Sequence, residues 1–273
     1  MNIEQLRTQQ QTEVTNLLST LKTVEINPVD ICNRICCFCP RSDIELYPNT
    51  KGTISLGLIS KIAKDLKAIN YSNRVSFVGF GEPLLYKSLV NAVSIISSEL
   101  PLCRWIEVNT NADFLTKDLA EQLSDAGCTN ITVSMYDSDI TTQLMEKLNE
   151  VNIELVFKHC YQENFEITLV NRSDIISQKQ TPSVGGQCFL PFYKMFIDWN
   201  GDVLICCNDW GRKGIIGNLN SNSIEELWFS EKINDYRRSL RDGERIHQNP
   251  CKYCDIQGNR YGQESFNFLT KYI

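Results

Sequence analysis

Residues 32–40 read CNRICCFCP, which places four of the chain's 12 cysteines within eight consecutive positions. The N-terminus is polar where a signal peptide would carry an apolar core, and no apolar run is long enough to cross a membrane. We therefore expect a cytoplasmic protein whose thiols stay reduced. In a reducing compartment, a dense cysteine group indicates metal or redox chemistry rather than disulfide bonds.

Three of these cysteines, Cys32, Cys36 and Cys39, have the spacing CxxxCxxC. Such a loop can wrap three thiolates around three irons of a cubane cluster, which leaves the fourth iron open to an external chelating molecule. A structural zinc site is the alternative, but it needs four protein ligands, and only Cys37 could be the fourth in this loop. We interpret Cys37 as a packing residue, because a free cysteine behaves as a small hydrophobic side chain.

The overall composition restricts the partners of the protein. Of its 273 residues, 42% are hydrophobic and 22% are charged, as in ordinary globular domains. The formal net charge is −6. A surface that binds nucleic acid needs a basic field, so we expect no nucleic-acid partner. The lack of a long apolar run likewise predicts no membrane partner.

Strand and helix patterns alternate along residues 23–172, after a segment at 1–22 whose apolar spacing predicts an amphipathic leader helix. Strands are predicted at residues 23–29, 74–80, 104–111, 130–136, 152–160 and 165–172. Helices are predicted at residues 55–70, 86–100, 115–127 and 139–150. This alternation predicts an α/β fold with a parallel sheet, open or closed into a barrel. In such barrels the chemistry lies at the C-terminal ends of the strands.

The alternation ends near residue 173. Residues 173–187 are polar and contain Gly and Pro, which is typical of a linker or a loop that faces substrate. A hairpin is then predicted at 194–207 around the Asn200-Gly201 turn. Residues 223–243 predict one helix, with Ser223 and Glu226 as its capping box.

A second set of cysteines lies in this C-terminal part: Cys188, Cys206, Cys251 and Cys254. Four thiolates from three segments can close a small domain around a metal. Zinc is the alternative here, but zinc ribbons bring two CxxC pairs and this chain brings one. Cys207 could replace Cys206 as a ligand, although the GxxxxC spacing favours Cys206. Four protein thiolates leave no open iron, so a cluster held here is expected to carry an electron.

These motifs resemble those of the radical S-adenosylmethionine (SAM) enzymes. That family places an aromatic residue before the last cysteine of CxxxCxxC, and it carries GGEP, TNG and VSiDG motifs that match GFGEPLL, NTNADFLT and VSMYDS here, with Phe80 in place of a glycine. The resemblance implies a partial (β/α) TIM-type barrel over residues 23–172. It also implies a set of SAM contacts: Phe38, Gly79, Gly81, Glu82, Pro83, Asn109, Asn111 and Ser134.

Residues 188–273 resemble the auxiliary-cluster domain of that family, called SPASM, in its shortened one-cluster form, called twitch. The resemblance implies two [4Fe–4S] clusters, one held by Cys32, Cys36 and Cys39 and one by the four C-terminal cysteines. It further implies an electron donor of the flavodoxin or ferredoxin type.

Among such enzymes the chain is similar to dehydrogenases that oxidise an alcohol of an aminocyclitol. This likeness implies that a 5′-deoxyadenosyl radical takes hydrogen from a carbinol carbon of a small sugar-like or aminocyclitol-like substrate, and that the auxiliary cluster accepts an electron. It also implies a catalytic role for Arg172. A guanidinium stays protonated, so we interpret Arg172 as a hydrogen-bonding clamp; a surface salt bridge is the alternative.

Other functions stay open at this point. An epimerase on the same scaffold would return hydrogen from a cysteine, for which Cys103, Cys128 and Cys160 are candidates. A peptide-modifying maturase is a further possibility, although about 20 residues before the barrel are too few for a peptide-recognition domain. A zinc-stabilised binding protein would explain the second set of cysteines but not the first.

Overall fold

A computed structural model describes residues 13–136, 140–160, 171–172, 175 and 184–273. Within residues 13–22 the only helical turn is a 3₁₀ turn at Leu18–Thr20, so the leader helix predicted there is wrong for this part. Its earlier residues lie outside the described residues, as do most of the predicted strand at 165–172 and most of the linker.

The described strands form one sheet of eight. They are β1 (Thr23–Ile26), β2 (Arg74–Phe77), β3 (Trp105–Thr110), β4 (Asn130–Met135), β5 (Glu154–His159), β6 (Lys194–Ile197), β7 (Asp202–Leu204) and β8 (Ile215–Asn218). Their order is β5-β4-β3-β2-β1-β6-β7-β8, and β1 to β5 pair in parallel. The predicted α/β fold with a parallel sheet is confirmed.

Four helices connect the parallel strands: α1 (Leu56–Ala68), α2 (Leu89–Glu99), α3 (Lys117–Asp125) and α4 (Thr141–Lys147). Helix α1 begins where the Ser55 hydroxyl accepts a hydrogen bond from the Leu58 backbone amide. Its buried side chains recur at helical spacing, so one face packs on the sheet. Helix α3 ends before Gly127, whose φ of 98° is the left-handed conformation that glycine commonly adopts at a helix end.

The C-terminal part continues the same sheet, because β6 pairs in parallel with β1. Strands β6 and β7 form the predicted hairpin, with Gly201 at φ of 91° in the turn. The helices of this part are α5 (Leu190–Tyr193), α6 (Ile224–Trp228), α7 (Glu231–Arg241) and α8 (Gln263–Leu269). The capping box of Ser223 and Glu226 is confirmed. The single helix predicted at 223–243 is wrong, because Ser230 interrupts it and caps α7.

Candidate active site

A cavity of about 460 Å³ lies inside the curve of the parallel strands and reaches the loops at their C-terminal ends. Four cysteines line it: Cys32, Cys36 and Cys39 of the CxxxCxxC loop, and Cys207 from the C-terminal part. The predicted SAM contacts that also line it are Phe38, Gly79, Gly81, Glu82, Asn109, Asn111 and Ser134, and Arg172 joins them. Pro83 does not line this cavity; it is buried at the start of a 3₁₀ turn. Cys37 is exposed, so the interpretation of Cys37 as a packing residue is wrong.

The turn that contains Gly79 and Gly81 is held by Asn27, the residue that follows β1. The Oδ1 atom of Asn27 accepts hydrogen bonds from the backbone amides of Phe80 at 3.0 Å and Gly81 at 3.2 Å. A Cβ atom at Gly81 would lie 2.0 Å from the carbonyl oxygen of Val29, so only glycine fits this approach. The sequence analysis missed Asn27; its signal is a polar residue directly after a buried strand.

Glu82 joins this turn to the end of β3. One carboxylate oxygen accepts hydrogen bonds from the Thr110 hydroxyl at 2.6 Å and the Leu84 amide at 3.0 Å, and the other accepts the Asn111 amide at 3.0 Å. Burial raises the pKa of Glu82, and these hydrogen bonds oppose the rise. Glu82 therefore fixes the backbone that borders the cavity.

Aromatic side chains flank the cysteine loop. The ring of Phe38 lies 5.1 Å from that of Tyr136, and the guanidinium of Arg34 lies 5.8 Å from the Tyr136 ring. Arg34 forms a salt bridge with Asp113, in which Arg34 Nη2 lies 2.5 Å from Asp113 Oδ1. This aromatic wall suits a flat heterocycle such as adenine. Phe80 does not belong to this wall. Its buried ring packs against Trp210, with the ring centroids 4.5 Å apart. This packing accommodates the phenylalanine in the GGEP-like motif.

The four C-terminal cysteines Cys188, Cys206, Cys251 and Cys254 line a second, smaller cavity. Its walls are mainly apolar and include Leu190, Ile205, Leu240 and Ile256. Cys207 lines the first cavity instead, so the structure groups Cys206, not Cys207, with the other three thiols. Burial raises the pKa of Cys188 to about 11.

Gly258 has no side chain, and this leaves room for the thiol of Cys188. A Cβ atom at Gly258 would lie 2.1 Å from the sulfur of Cys188. The sequence analysis missed this glycine, four residues after the CxxC pair, because nothing in the local pattern shows which segment packs against it.

The donor geometry distinguishes a cluster from a single ion. Across the described ranges, no three His, Cys, Asp or Glu side chains converge as ligands of one metal ion must. Tetrahedral zinc would hold every sulfur about 2.3 Å from one point. The four C-terminal thiols surround a space with apolar walls, the three thiols of the CxxxCxxC loop line the larger cavity, and a thiolate donor set around a larger group is what an iron–sulfur cluster requires. The residues present fit two such clusters.

The two cysteine sites lie at opposite ends of the strand layer. Cys32 follows the C-terminal end of β1, whereas Cys206 follows β7, which runs antiparallel to β6 and hence to β1. The four residues of β1 span about 13 Å at about 3.3 Å per residue. The first cavity extends between the two sites.

Arg172 lies on the wall of this cavity. Its Nη1 atom donates to Asn208 Oδ1 at 3.3 Å, and its buried Nε atom has no hydrogen-bond partner in the described part of the chain. The neighbouring Asn171 donates its amide to the Asp255 carboxylate at 3.0 Å, which ties this segment to the region after the CxxC pair. Arg172 forms no ion pair with a described residue, so the salt-bridge alternative has no support there.

A family model confirms the prediction made from these motifs: that of the radical SAM superfamily matches residues 26–165, just over half of the chain. The chain belongs to the radical SAM superfamily. A second model, the SPASM iron–sulfur cluster-binding domain, matches residues 188–255. The cofactors of this radical SAM enzyme are therefore SAM and two iron–sulfur clusters, as predicted.

Known relatives agree with this assignment. The chain is 28% identical over 243 residues to the S-adenosyl-L-methionine-dependent 2-deoxy-scyllo-inosamine dehydrogenase of Niallia circulans, covering 87% of this chain and 93% of that protein. The fold matches the crystal structure of BtrN in complex with AdoMet and 2-DOIA, with a TM-score of 0.75, 24% identity and coverage of 89% and 97%. It also matches anSMEcpe with bound AdoMet, with a TM-score of 0.58, 13% identity and coverage of 91% and 97%. No described helix is long and apolar enough to span a membrane.

Proposed function

We propose that this enzyme is a radical SAM dehydrogenase that oxidises a secondary alcohol of a small sugar-like or aminocyclitol-like substrate to a ketone. One observation carries the proposal: a cavity with both polar and apolar lining extends between a three-cysteine site and a four-cysteine site at opposite ends of the strands. The dehydrogenase named in the relative from Niallia circulans supports the same reaction and the same substrate class.

An alcohol oxidation needs the removal of a hydrogen atom and of an electron, and the two cysteine sites would each serve one of these steps. When bound, SAM and the cluster at Cys32, Cys36 and Cys39 would supply a 5′-deoxyadenosyl radical that takes one hydrogen atom, and the cluster at the four C-terminal cysteines would accept one electron. The Asn27-anchored turn and Glu82 fix the backbone on the SAM side. Phe38 and Tyr136 form an apolar wall on the same side.

Arg172 is the side chain we assign to the substrate oxygen. Its guanidinium is always a donor, so it can hold a hydroxyl or developing alkoxide oxygen but cannot take its proton. The Nε atom, which has no hydrogen-bond partner among the described residues, leaves donor capacity on the cavity wall. As the oxygen gains negative charge, this hydrogen bond strengthens, because charge-assisted hydrogen bonds are the stronger ones.

An epimerase has less support. Two cysteines considered for hydrogen return lie away from the cavity: the Cys103 thiol donates to the Asn73 carbonyl and the Cys128 thiol to the Ile106 carbonyl. Cys160 is not among the described residues that line the cavity; the cysteine of the C-terminal part that does line it, Cys207, was not a candidate for hydrogen return and faces the Glu25 carboxylate. Peptide maturases share the fold at low identity, which says nothing about the substrate. We further propose a flavodoxin-type or ferredoxin-type electron donor and a cytoplasmic location.

The test uses 2-deoxy-scyllo-inosamine with deuterium on its ring carbons and anaerobically reconstituted enzyme. A dehydrogenase transfers one deuterium to 5′-deoxyadenosine for each ketone formed, with one methionine released. An epimerase, assayed with the unlabelled compound in deuterium oxide, would give a product of unchanged oxidation state that gains one solvent deuterium. The second result would overturn the proposal.

A further inference from the structure

A buried carboxylate lies on the wall of the cavity that extends between the two cysteine sites. Glu25, the third residue of β1, is buried, and it lines the cavity together with Lys194 of β6. The Nζ atom of Lys194 lies 2.5 Å from Glu25 Oε1. The other oxygen, Oε2, is buried and accepts no hydrogen bond from a nitrogen or oxygen donor of a described residue; the Cys207 thiol is the further donor beside this carboxylate. A buried carboxylate that keeps an unused acceptor at a substrate cavity has capacity for a further donor.

The groups that face Glu25 come from three elements. Lys194 approaches from β6, Arg74 from β2, and the Cys207 thiol from the segment after β7. Arg74 is itself paired with Glu107 of β3. Burial alone would raise the pKa of Glu25, but the ammonium of Lys194, with Arg74 behind it, brings that pKa below its ordinary value. Glu25 is thus a charged acceptor inside the cavity.

We propose that Glu25 is a further catalytic residue, whose carboxylate accepts the proton of the reacting hydroxyl group while Lys194 holds that carboxylate in place. This role rests on the proposed alcohol oxidation. In that reaction the carbon–oxygen single bond becomes a double bond and the O–H bond breaks. The proton passes to Glu25, and the hydrogen atom on carbon and the remaining electron leave through the cofactor chemistry stated above, so atoms and electrons balance.

Glu25 and Arg172 have complementary roles. Arg172 can only donate a hydrogen bond, whereas the Glu25 carboxylate can only accept one until it is protonated. An alcohol that loses its proton needs both, one group to stabilise its oxygen and another to receive its hydrogen. The two residues line the same cavity. Lys194 acts through Glu25 and is a positioning residue.

The experiment compares Glu25→Gln and Lys194→Met with the wild type, using reconstituted enzyme and ring-deuterated 2-deoxy-scyllo-inosamine. In Glu25→Gln the amide keeps the shape but cannot take a proton, so deuterated 5′-deoxyadenosine should still form while ketone formation falls about 100-fold or more. Lys194→Met removes the positive charge that lowers the Glu25 pKa. As the pH falls, ketone formation should therefore decline at a higher pH in Lys194→Met than in the wild type.

Lys158→Met is the matched control, because Lys158 lines the same cavity but is not among the groups that face Glu25. Lys158→Met should not change the pH at which ketone formation declines on the acid side. Ketone formation at the wild-type rate by Glu25→Gln would overturn the role of Glu25 alone. If Glu25→Gln fails to hold its clusters, an unshifted profile in Lys194→Met overturns that role. No ketone and no deuterated 5′-deoxyadenosine from the wild type would overturn the proposed function and this role with it.

Discussion

Replacing Cys206 by alanine should lower the iron content, whereas replacing the adjacent Cys207 by alanine should leave it unchanged. Cys206 lines the cavity with Cys188, Cys251 and Cys254, whereas Cys207 lines the cavity that contains Glu25. With two four-iron clusters, the wild type should bind about eight irons. Cys206→Ala loses one of four thiolates and should retain about four irons, a ratio of about one half, while Cys207→Ala should retain about eight.

Iron and sulfide would be measured after anaerobic reconstitution, and the reduced clusters would be counted by electron paramagnetic resonance. Each substitution removes one thiol from a partly buried position, so a general packing defect would affect both variants alike. SAM cleavage should stay measurable in both variants, because the first cysteine site is unchanged. Half the iron in Cys207→Ala and full iron in Cys206→Ala would refute the assignment.

Three further outcomes are expected. Replacing all three cysteines of the CxxxCxxC loop by alanine should abolish SAM cleavage and leave about four irons, as measured by chromatography and iron assay. Arg172→Gln should bind SAM as the wild type does but form ketone about 100-fold more slowly, and full activity would contradict its role. Gly81→Ala places a Cβ atom 2.0 Å from the Val29 carbonyl oxygen and should lower the free energy of unfolding by about 1–3 kcal/mol, measured by denaturant titration, with weaker SAM binding.

Sequence patterns predicted what depends on short stretches of chain. The five parallel strands, their helices and the hairpin at Asn200-Gly201 follow from local periodicity and turn residues, and all lie where expected. The cysteine spacing likewise predicted which thiols come together, including the choice of Cys206 over Cys207. The strands, the helices, the hairpin and the CxxxCxxC loop need only neighbours in sequence to be specified, whereas the C-terminal cysteines come from three segments and were grouped by their motif spacing.

Contacts between distant segments could not be predicted in this way. The pairing of β6 with β1 joins residues about 170 positions apart, and no local pattern distinguishes it from a separate small sheet. The same is true of the Glu25 and Lys194 pair, since an isolated glutamate in a strand pattern indicates only an exposed face. The break at Ser230 was missed because a serine within an amphipathic pattern can either continue a helix or cap a new one.

The pairing of β6 with β1 determines how domain deletions should be interpreted. Removing residues 188–273 would not leave an intact parallel sheet without its second cluster, because β1 would lose one of its two neighbours and expose a buried strand edge with unpaired backbone groups. Such edges recruit other chains, so the truncated protein should aggregate. An inactive truncation would therefore report lost solubility, and only point substitutions at the cysteines can separate electron transfer from folding.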